Sequence, residues 1–213
     1  MYHTSDMDRP VLEHNRIVMI AGPSGSGKST VSRSLSQVYP DSTVVHFDDF
    51  QHDADFLSKD EQGYRNWDDP NFTDFELAFK SIKNLKENTP ITLMAKNEFD
   101  NPNYIKGDHR RKKITVKPSK LCIVEGHYAL LDPRIVGLAD LSIFLAVDNQ
   151  ISFARRTKLS DVTYDQKYLL PMHDAHVLPT LGRADHVIDV DELPKDEVLD
   201  IISKLLEDLT NEC

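Results

Sequence analysis

Short apolar runs alternate along the chain with stretches in which apolar residues recur at helical spacing. Five runs predict β-strands, namely RIVMIA (16–21), STVVHF (42–47), LCIVEG (121–126), LSIFLAV (141–147) and HVIDV (186–190). The third and fourth runs are apolar at nearly every position, as expected for parallel strands that helices cover on both faces. Strands that alternate with helices predict a doubly wound, mainly parallel α/β sheet.

Helices are predicted between and after these strands. The first follows RIVMIA and a glycine-rich loop, and the last opens at Pro194 and carries a wide apolar stripe. Another is predicted to begin at Thr73 and to run to about residue 88, because Thr73 and Glu76 have the spacing of a capping box. Between about residues 90 and 118, ITLMA and KITV predict the two strands of a small inserted hairpin.

The composition is that of an ordinary globular protein and fits a single domain over residues 1–213. Apolar residues make up 39% and charged residues 28% of the chain. The formal charge of −10 argues against broad binding to nucleic acid or to anionic membranes, because such binding requires clustered cations. The basic cluster HRRKK (109–113) is interpreted as a solvated hairpin strand, with a phosphate-binding or partner-binding patch as the alternative.

The chain contains no apolar run long enough to cross a bilayer, and its polar start, MYHTSDMDRP, lacks the apolar stretch of a signal peptide. We therefore expect a cytoplasmic protein. The two cysteines, Cys122 in an apolar strand and Cys213 at the C-terminus, suggest neither a disulfide framework nor a metal site. Cys122 is expected to be a buried core thiol.

A complete GxxxxGKS motif lies between the first strand and the first helix, where a phosphate-binding loop requires it. Glycines let successive backbone N–H groups turn toward phosphate oxygens, and the helix N-terminus adds positive potential. Lys28 would reach the β- and γ-phosphates of ATP, and the Ser29 hydroxyl would ligate Mg²⁺. A dinucleotide-binding loop would need a third glycine where Thr30 stands, so NAD binding is not expected. The predicted nucleotide-binding residues are Gly22, Pro23, Ser24, Gly25, Ser26, Gly27, Lys28, Ser29 and Thr30.

Carboxylates follow two of the predicted strands, at the sheet edge where open α/β folds bind ligands. Asp48 and Asp49 come directly after the second strand; one of them would act as a base toward an acceptor hydroxyl, and we favour Asp48. Glu125 ends the strand LCIVEG and is predicted to hold Mg²⁺ directly or through water. The alternatives are a solvated acidic turn or an Asx cap for the aspartates, and a capping or salt-bridged role for the glutamate.

Other side chains allow two interpretations each. Arg155 and Arg156, on the helix after LSIFLAV, would cover the transferring phosphate or lie on plain surface. Trp67, in the polar stretch before the helix predicted from Thr73, would stack on a ligand ring or anchor its loop. His173 and His176 have the spacing of one helical face, but the sequence places no third ligand near them, so no zinc site is predicted.

Together these motifs resemble the uridine kinase and phosphoribulokinase branch of the P-loop kinases, which also contains the nicotinamide riboside kinases. GPSGSGKST (22–30) matches the phosphate loop of that branch, HFDDF (46–50) its aspartate motif and IVEG (123–126) its metal-side strand. PMHDAHVLP followed by ADHVID resembles the C-terminal segment of uridine kinases. The resemblance covers most of the chain and implies a P-loop NTPase-type fold with a lid at about residues 155–170.

The resemblance implies an ATP- and Mg²⁺-dependent kinase that phosphorylates a primary hydroxyl of a ribonucleoside or similar small molecule, with nicotinamide riboside kinase as the first alternative. Asp48 would be the general base for the acceptor 5′-hydroxyl, and Asp68 in NWDDP would hold the ribose 2′- and 3′-hydroxyls. Arg155 and Arg156 would lie on the lid helix, whose closure would exclude water. The predicted substrate-binding residues are Asp48, Asp49, Trp67 and Asp68.

The segment expected to recognise the base departs from the uridine kinase pattern. Uridine kinases usually carry a tyrosine, aspartate and histidine pattern where this chain has AKNEFDNPNYIKGDHRR, in which Phe99, Tyr104 and His109 are candidate base contacts. The predicted lid is short, and DDF with GYRNWDDP is at least as similar to nicotinamide riboside kinases. A nucleotide-driven switch and a non-catalytic subunit are the alternatives from other functional classes. The oligomeric state is left open, a homo-oligomer included.

Overall fold

A five-stranded parallel sheet forms the centre of the molecule, which the computed structural model describes over residues 15–96, 111–156 and 161–211. In chain order the strands and helices are β1 (Arg16–Ala21), α1 (Lys28–Val38), β2 (Ser42–His46), α2 (Phe75–Lys86), β3 (Ile91–Ala95), β4 (Lys112–Val116), β5 (Leu121–Glu125), α3 (Pro133–Val136), β6 (Leu141–Ala146), α4 (Asn149–Arg156), α5 (Val162–Tyr164), α6 (Leu170–Met172), β7 (His186–Asp189) and α7 (Lys195–Asn211). The sheet order is β2–β5–β1–β6–β7, with parallel pairing throughout. The predicted doubly wound, mainly parallel α/β sheet is confirmed.

Alternate residues of β1 enter two hydrophobic cores on opposite faces of the sheet. Ile17 and Met19 pack in the core that includes α2, whereas Val18 and Ile20 pack in the core that includes α1 and α7. All four side chains are fully buried. Burial on both faces is why the strand is apolar at every position rather than at every second one. Cys122 is buried in the same way, as expected, and burial raises the pKa of its thiol to about 12.

Strands β1, β2 and β5 end at one edge of the sheet. His46, the last residue of β2, and Ile20, near the end of β1, are both register partners of Glu125, the last residue of β5. Because the strands are parallel, the segments that leave them enter the same region. The phosphate loop after β1 and the turn after β2 therefore meet beside Glu125.

Strands β3 and β4 form a separate antiparallel hairpin, in which Ile91 pairs with Val116. Both strands of the predicted hairpin are thereby confirmed. Lys112 and Lys113, from the basic cluster, are exposed on β4. Their exposure agrees with the interpretation of that cluster as a solvated strand.

The N-cap of α2 is Asp74, which corrects the predicted capping box that begins at Thr73. The Asp74 carboxylate accepts a hydrogen bond of 2.8 Å from the backbone N–H of Leu77. Thr73 is 6% exposed and pairs with Gln51 in an isolated antiparallel bridge. Because that pairing holds Thr73 in an extended conformation, the next residue able to cap a helix, Asp74, is the N-cap. The helix ends at Lys86, close to the predicted end.

The stretch predicted as a lid is helical at residues 155–156 and from residue 162 onward. Helix α4 precedes it, and from residue 162 α5 continues through a π-helical turn (Asp165–Leu169), α6 and a second π-helical turn (His173–Val177). Asp161 caps α5 by accepting a 2.9 Å hydrogen bond from the backbone N–H of Thr163. Turns of π-helix within helices are frequent at functional sites. None of the helices in the described ranges has the length and apolar character needed to span a membrane.

Candidate active site

The phosphate loop has glycines at two positions that would not tolerate a side chain. A Cβ atom at Gly22 would lie 2.4 Å from the backbone oxygen of Leu145, and Gly27 has a φ of 93°. Gly27 is the N-cap of α1, and among the described residues no side chain caps this helix end. The first backbone N–H groups of α1 can therefore bind an anion.

Lys28 lies inside the phosphate loop rather than in open solvent. Its side chain is largely buried, and Nζ donates a hydrogen bond of 2.8 Å to the carbonyl of Pro23. Burial lowers the pKa of Lys28 from its ordinary value, although the carboxylates of Glu125 and Asp48 act in the opposite direction. The ammonium group is thus held where a phosphate in the loop would meet a cation.

A cavity of about 840 Å³ opens beside the phosphate loop. Its polar lining includes the loop from Ser24 to Thr30 together with Asp48 and Glu125. Its apolar lining comes from Val190 and Leu193, in the connection between β7 and α7, together with Val198 of α7 and Val31 of α1. A concave site that combines apolar walls with a few polar groups suits a small ligand.

Ser29 and Glu125 provide neighbouring oxygen atoms at this cavity. The Ser29 hydroxyl donates a hydrogen bond of 3.0 Å to Glu125 Oε1, and Nδ1 of His46 lies 2.6 Å from the same oxygen. Mg²⁺ commonly binds one or two protein oxygens and completes its shell with water and substrate phosphates. Within the described ranges, no group of three or more His, Cys, Asp or Glu residues is arranged to hold a metal. Ser29 and Glu125 therefore fit a metal shared with a nucleotide rather than one enclosed by protein.

Asp48 lines the same cavity as Lys28. Its side chain is 56% exposed, and Oδ1 lies 3.9 Å from Nδ1 of His127. Partial removal from water raises the pKa of Asp48, but the charges of His127, Lys96 and Lys28 outweigh this effect and hold the pKa below its ordinary value. An accessible carboxylate that remains ionised can accept a proton from a bound hydroxyl.

Asp49 is buried and bonded to the protein backbone, and its contact with a substrate stays a prediction. Its side chain is 3% exposed, and Oδ1 accepts a hydrogen bond of 2.7 Å from the backbone N–H of Lys96. This bond ties the turn after β2 to the end of β3. Because a buried carboxylate needs such a partner, the bond accounts for the aspartate at this position without a ligand.

Asp68 is nearly buried and is held by two tyrosines. Tyr164 donates a hydrogen bond of 2.6 Å from its hydroxyl to Asp68 Oδ2, and the Tyr128 hydroxyl donates to the backbone carbonyl of Asp68. The first contact joins the NWDDP loop to the predicted lid. The ring of Trp67 meets buried Phe72 edge-on, with centroids 5.6 Å apart, which is a loop-anchoring contact. Contact of Trp67 with a ligand stays a prediction.

The two arginines of α4 have different surroundings, although both line the cavity. Arg156 donates to the Ser24 hydroxyl in the phosphate loop and, at 3.1 Å, to Oδ1 of fully buried Asp165. Arg155 donates a hydrogen bond of 2.9 Å to the carbonyl of Val190. Arg156 thus meets the phosphate loop directly, whereas Arg155 supports the apolar lining of the cavity.

Sequence reasoning missed several side chains of this site. His46 and His127 each lie two residues from a predicted site carboxylate, so the motifs HFDDF and EGHY contained a usable signal. Tyr164 gave no such signal because its partner, Asp68, is 96 residues away. The candidate base contacts at positions 99, 104 and 109 lie outside the described residues, as do residues 157–160 of the predicted lid.

Comparison with known proteins shows the family of the chain. Residues 17–195, from β1 to the start of α7, match the model of the Phosphoribulokinase / Uridine kinase family. A protein named uridine kinase from Borrelia garinii subsp. bavariensis is 30% identical, over 92% of this chain and 97% of its own length. A uridine kinase from Clostridium botulinum is 33% identical, over 85% of this chain and 89% of its own length.

Solved structures show the same fold. A possible uridine kinase from Bacillus stearothermophilus has a TM-score of 0.60 at 20% identity, over 83% of this chain and 89% of that chain. Phosphoribulokinase from Rhodobacter spheroides has a TM-score of 0.60 at 14% identity, over 87% of this chain and 74% of that chain. The chain therefore belongs to the phosphoribulokinase and uridine kinase family, and it is a P-loop kinase of the uridine kinase-like branch, which transfers a phosphoryl group to a hydroxyl.

Proposed function

We propose that the protein transfers the γ-phosphoryl group of ATP, with Mg²⁺, to a primary hydroxyl of a ribonucleoside or a similar ribose-bearing small molecule. The observation that carries this proposal is the position of Asp48, whose side chain lines the same cavity as the phosphate loop and Lys28. Phosphoryl transfer to an alcohol needs a base and a phosphate site within one cavity.

The nucleotide would occupy the cavity beside the phosphate loop. Backbone N–H groups of the loop and of α1 would bind the phosphates, and Lys28 would supply the cation for the β- and γ-phosphates. The apolar lining at Val190, Leu193 and Val198 suits the faces of an adenine ring. The hydrogen bond from Arg155 to Val190 would keep that lining in place.

Mg²⁺ would be held by Ser29 and Glu125, with His46 orienting the carboxylate. When bound, the metal would neutralise charge on the β- and γ-phosphate oxygens. Arg156, which donates to Ser24 of the phosphate loop, would offset charge on the transferring group. These residues would therefore form the electrostatic part of the site.

In the transfer step, the acceptor hydroxyl oxygen forms a bond to the γ-phosphorus while the bond from that phosphorus to the β–γ bridging oxygen breaks. ADP leaves, and Asp48 takes the hydroxyl proton. Neighbouring positive charges outweigh desolvation and hold the pKa of Asp48 below its ordinary value, so the carboxylate is ionised at neutral pH. A weakly basic group suffices when the transition state is loose and positioning dominates the rate.

The relatives named uridine kinase support a ribonucleoside as the acceptor. Asp68 would accept hydrogen bonds from the ribose hydroxyls while Asp48 meets the primary hydroxyl. Burial lowers the pKa of Lys96, and the carboxylates of both Asp48 and Asp68 are close enough to oppose that effect. Their shared proximity to Lys96 supports one acceptor site that includes both aspartates.

Replacement of Asp48 by asparagine tests the proposal. D48N should lower kcat by about 10²- to 10⁴-fold, because an amide cannot take the hydroxyl proton. ATP affinity should be retained, because the phosphate loop is unchanged. Turnover is measured by ADP release, and affinity by calorimetric titration with a non-hydrolysable ATP analogue.

Asp49→Asn is the matched control for this experiment. Asparagine keeps the oxygen that accepts the hydrogen bond from Lys96, so this variant should retain turnover. Normal turnover in D48N would contradict the role of Asp48. Slow ATP hydrolysis that needs no acceptor and is insensitive to D48N would favour the nucleotide-driven switch.

A further inference from the structure

We propose that His127 is a positioning residue for the phosphoryl transfer, where its Nδ1–H group donates to Oδ1 of Asp48 and directs the other carboxylate oxygen toward the acceptor hydroxyl. This inference rests on the proposed function, which assigns Asp48 as the base. It adds to that function a histidine from the turn after β5. His127 would act through Asp48 rather than on the substrate itself.

Asp48 differs from other carboxylates of the site in how the protein holds it. Glu125 accepts a hydrogen bond of 3.0 Å from the Ser29 hydroxyl, and Asp49 accepts one of 2.7 Å from a backbone N–H. Among the described residues, none donates a hydrogen bond to the Asp48 carboxylate, and its side chain is 56% exposed. Rotation about the last side-chain bond would move both carboxylate oxygens relative to a bound hydroxyl. The base therefore needs a partner that orients it.

His127 is placed to be that partner. Its Nδ1 lies 3.9 Å from Oδ1 of Asp48, and both residues line the cavity beside the phosphate loop. A hydrogen bond has a separation of about 3 Å, so a side-chain shift of about 1 Å closes the gap. Hydrogen bonds of a catalytic site are often long without substrate and shorten when substrate binds. The contact therefore fits a bond that forms when nucleotide and acceptor are both present.

The two lysines whose charges act on Asp48 are engaged elsewhere. Lys28 donates to a backbone carbonyl of the phosphate loop, and Lys96 donates to the side chain of Gln51. Within the part of the chain that the structure describes, His127 is the group at ion-pair distance from the Asp48 carboxylate. The geometry therefore favours His127 over either lysine as the partner of the base.

The backbone determines where His127 lies. The N–H of Gly126, the residue before it, donates a hydrogen bond of 3.1 Å to the carbonyl of Ile20 near the end of β1. A Cβ atom at Gly126 would lie 2.4 Å from Cβ of Phe47, the residue before Asp48. This close approach needs a glycine and brings the turns after β2 and β5 together. The next residues of these two turns, Asp48 and His127, are neighbours for that reason.

The imidazole of His127 is packed against two other rings. Its side chain is 14% exposed, and the ring of Tyr128 meets it edge-on, with centroids 4.1 Å apart. The ring of buried His173 lies 5.9 Å away. A side chain whose rotamer is limited by packing can orient a flexible neighbour, whereas the exposed Asp48 carboxylate cannot orient itself.

The surroundings of the imidazole favour a proton on Nδ1. Nε2 of His127 is buried and has no hydrogen-bond partner among the described residues. A neutral imidazole carries its proton on one nitrogen, and the other nitrogen is an acceptor. An ionised carboxylate can only accept, so a proton on Nδ1 gives Asp48 a donor, whereas a proton on Nε2 would leave a buried N–H unpaired. The tautomer that satisfies the site is therefore the one that donates to Asp48.

The proposed bond assigns different roles to the two oxygens of Asp48. Oδ1 accepts from His127, and Oδ2 takes the proton as the acceptor O–H bond breaks and the new bond to the γ-phosphorus forms. The bond to His127 remains in place during this step. Because misplacement of a reacting group by about 1 Å can cost about 10²-fold in rate, loss of His127 should act on kcat.

The experiment compares three variants of His127. His127→Phe keeps a ring and removes both nitrogens, His127→Asn keeps an N–H near the position of Nδ1, and His127→Gln keeps one near the position of Nε2. ADP release with the best ribonucleoside acceptor gives kcat and KM. H127F and H127Q should lower kcat by about 10- to 100-fold with little change in the acceptor KM. H127N should stay within about threefold of wild type, because the donor to Asp48 is kept.

The control and a double-mutant cycle separate positioning from packing. His186→Phe, at an exposed position on β7, should have the turnover of wild type. In the D48N background, H127F should lower kcat by no more than about twofold, because the base that His127 orients is already absent. A residue that only packs the turn after β5 would lower kcat by the same factor in both backgrounds.

Three results would overturn the inference while leaving the proposed function intact. They are an unchanged kcat in H127F, an equal loss in H127N and H127F, and an H127F loss as large in D48N as in wild type. Thermal unfolding shows whether each variant is folded. If H127F is not, equal kcat values in H127N and H127Q would overturn the inference instead. Absence of acceptor-dependent turnover in wild type would refute the proposed function and this inference with it.

Discussion

At the scale of single residues, the site depends on carboxylates held by side chains from distant parts of the chain. Glu125 accepts from Ser29 and lies 2.6 Å from His46, and Asp68 accepts from Tyr164. Each bond fixes the orientation of a carboxylate before a ligand arrives. Such preorganisation reduces the reorganisation needed when charge develops in the reaction.

His173 is a buried histidine near this site with no side-chain partner at Nε2 among the described residues. Its side chain is 1% exposed. Burial, and then the charges of His127, Lys28 and Arg156, lower the pKa of His173 from 6.5 to about 2. The imidazole is therefore neutral in the folded protein at neutral pH.

This depressed pKa predicts a pH dependence of stability. Below pH 6.5 the unfolded chain binds a proton at His173, whereas the folded chain does not until the pH approaches 2. The contribution to stability is thus present above pH 6.5 and is lost as the pH falls, by about 1.4 kcal/mol per pH unit. Urea unfolding of wild type and His173→Gln at pH 7.5 and 5.0 should show a loss about 2 kcal/mol larger in wild type.

His186→Gln, at an exposed position on β7, is the control for this measurement. It should lose as much stability as wild type between the two pH values. If His173→Gln also loses as much as wild type, the proton is bound in the folded protein, and the assignment of His173 as a neutral buried group is wrong.

At the scale of elements, the structure and the sequence pattern differ in which residue caps α2. Asp74→Ala should lower the free energy of unfolding by about 1 kcal/mol, because it removes the hydrogen bond to the Leu77 N–H. Asp74→Asn should have little effect, because asparagine is an equally good cap. Denaturant unfolding measures both. Equal stability of Asp74→Ala and wild type would show that Asp74 does not cap the helix.

The regular elements were predictable because their signals are local. Apolar runs gave the five strands of the central sheet, and GxxxxGKS gave the phosphate loop between β1 and α1. The pattern was ambiguous where two adjacent residues had the same chemistry, and at the cap of α2 it pointed to the wrong one. Thr73 and Asp74 can both cap a helix, and Asp48 and Asp49 can both act as a base, so only tertiary contacts decide between them.

At the scale of the whole molecule, the site depends on strand order. His46 and Glu125 are 79 residues apart and meet because β2 and β5 are neighbours in register. A strand pattern predicts that a sheet forms, but it does not predict which strands are neighbours. For the same reason, the contact between Tyr164 and Asp68 and the apolar lining of the cavity were beyond sequence reasoning.

The arrangement of the whole molecule also determines how a kinase can be told apart from a nucleotide-driven switch. The parallel sheet brings the phosphate loop, Glu125 and the Asp48 turn to one edge, where an acceptor and a nucleotide can react. A switch would need the nucleotide site alone, whereas a kinase needs an acceptor beside Asp48. Dependence of turnover on the acceptor therefore tests the central claim.

The most direct measurement is ADP release with ATP and Mg²⁺ in the presence of uridine, cytidine, nicotinamide riboside, pantothenate or no acceptor. We expect release to depend on an acceptor and to be fastest with a ribonucleoside, because both aspartates would then have their hydroxyl partners. Release that is equal with and without every acceptor, or that never occurs although ATP binds, would contradict the proposed phosphotransfer to a hydroxyl.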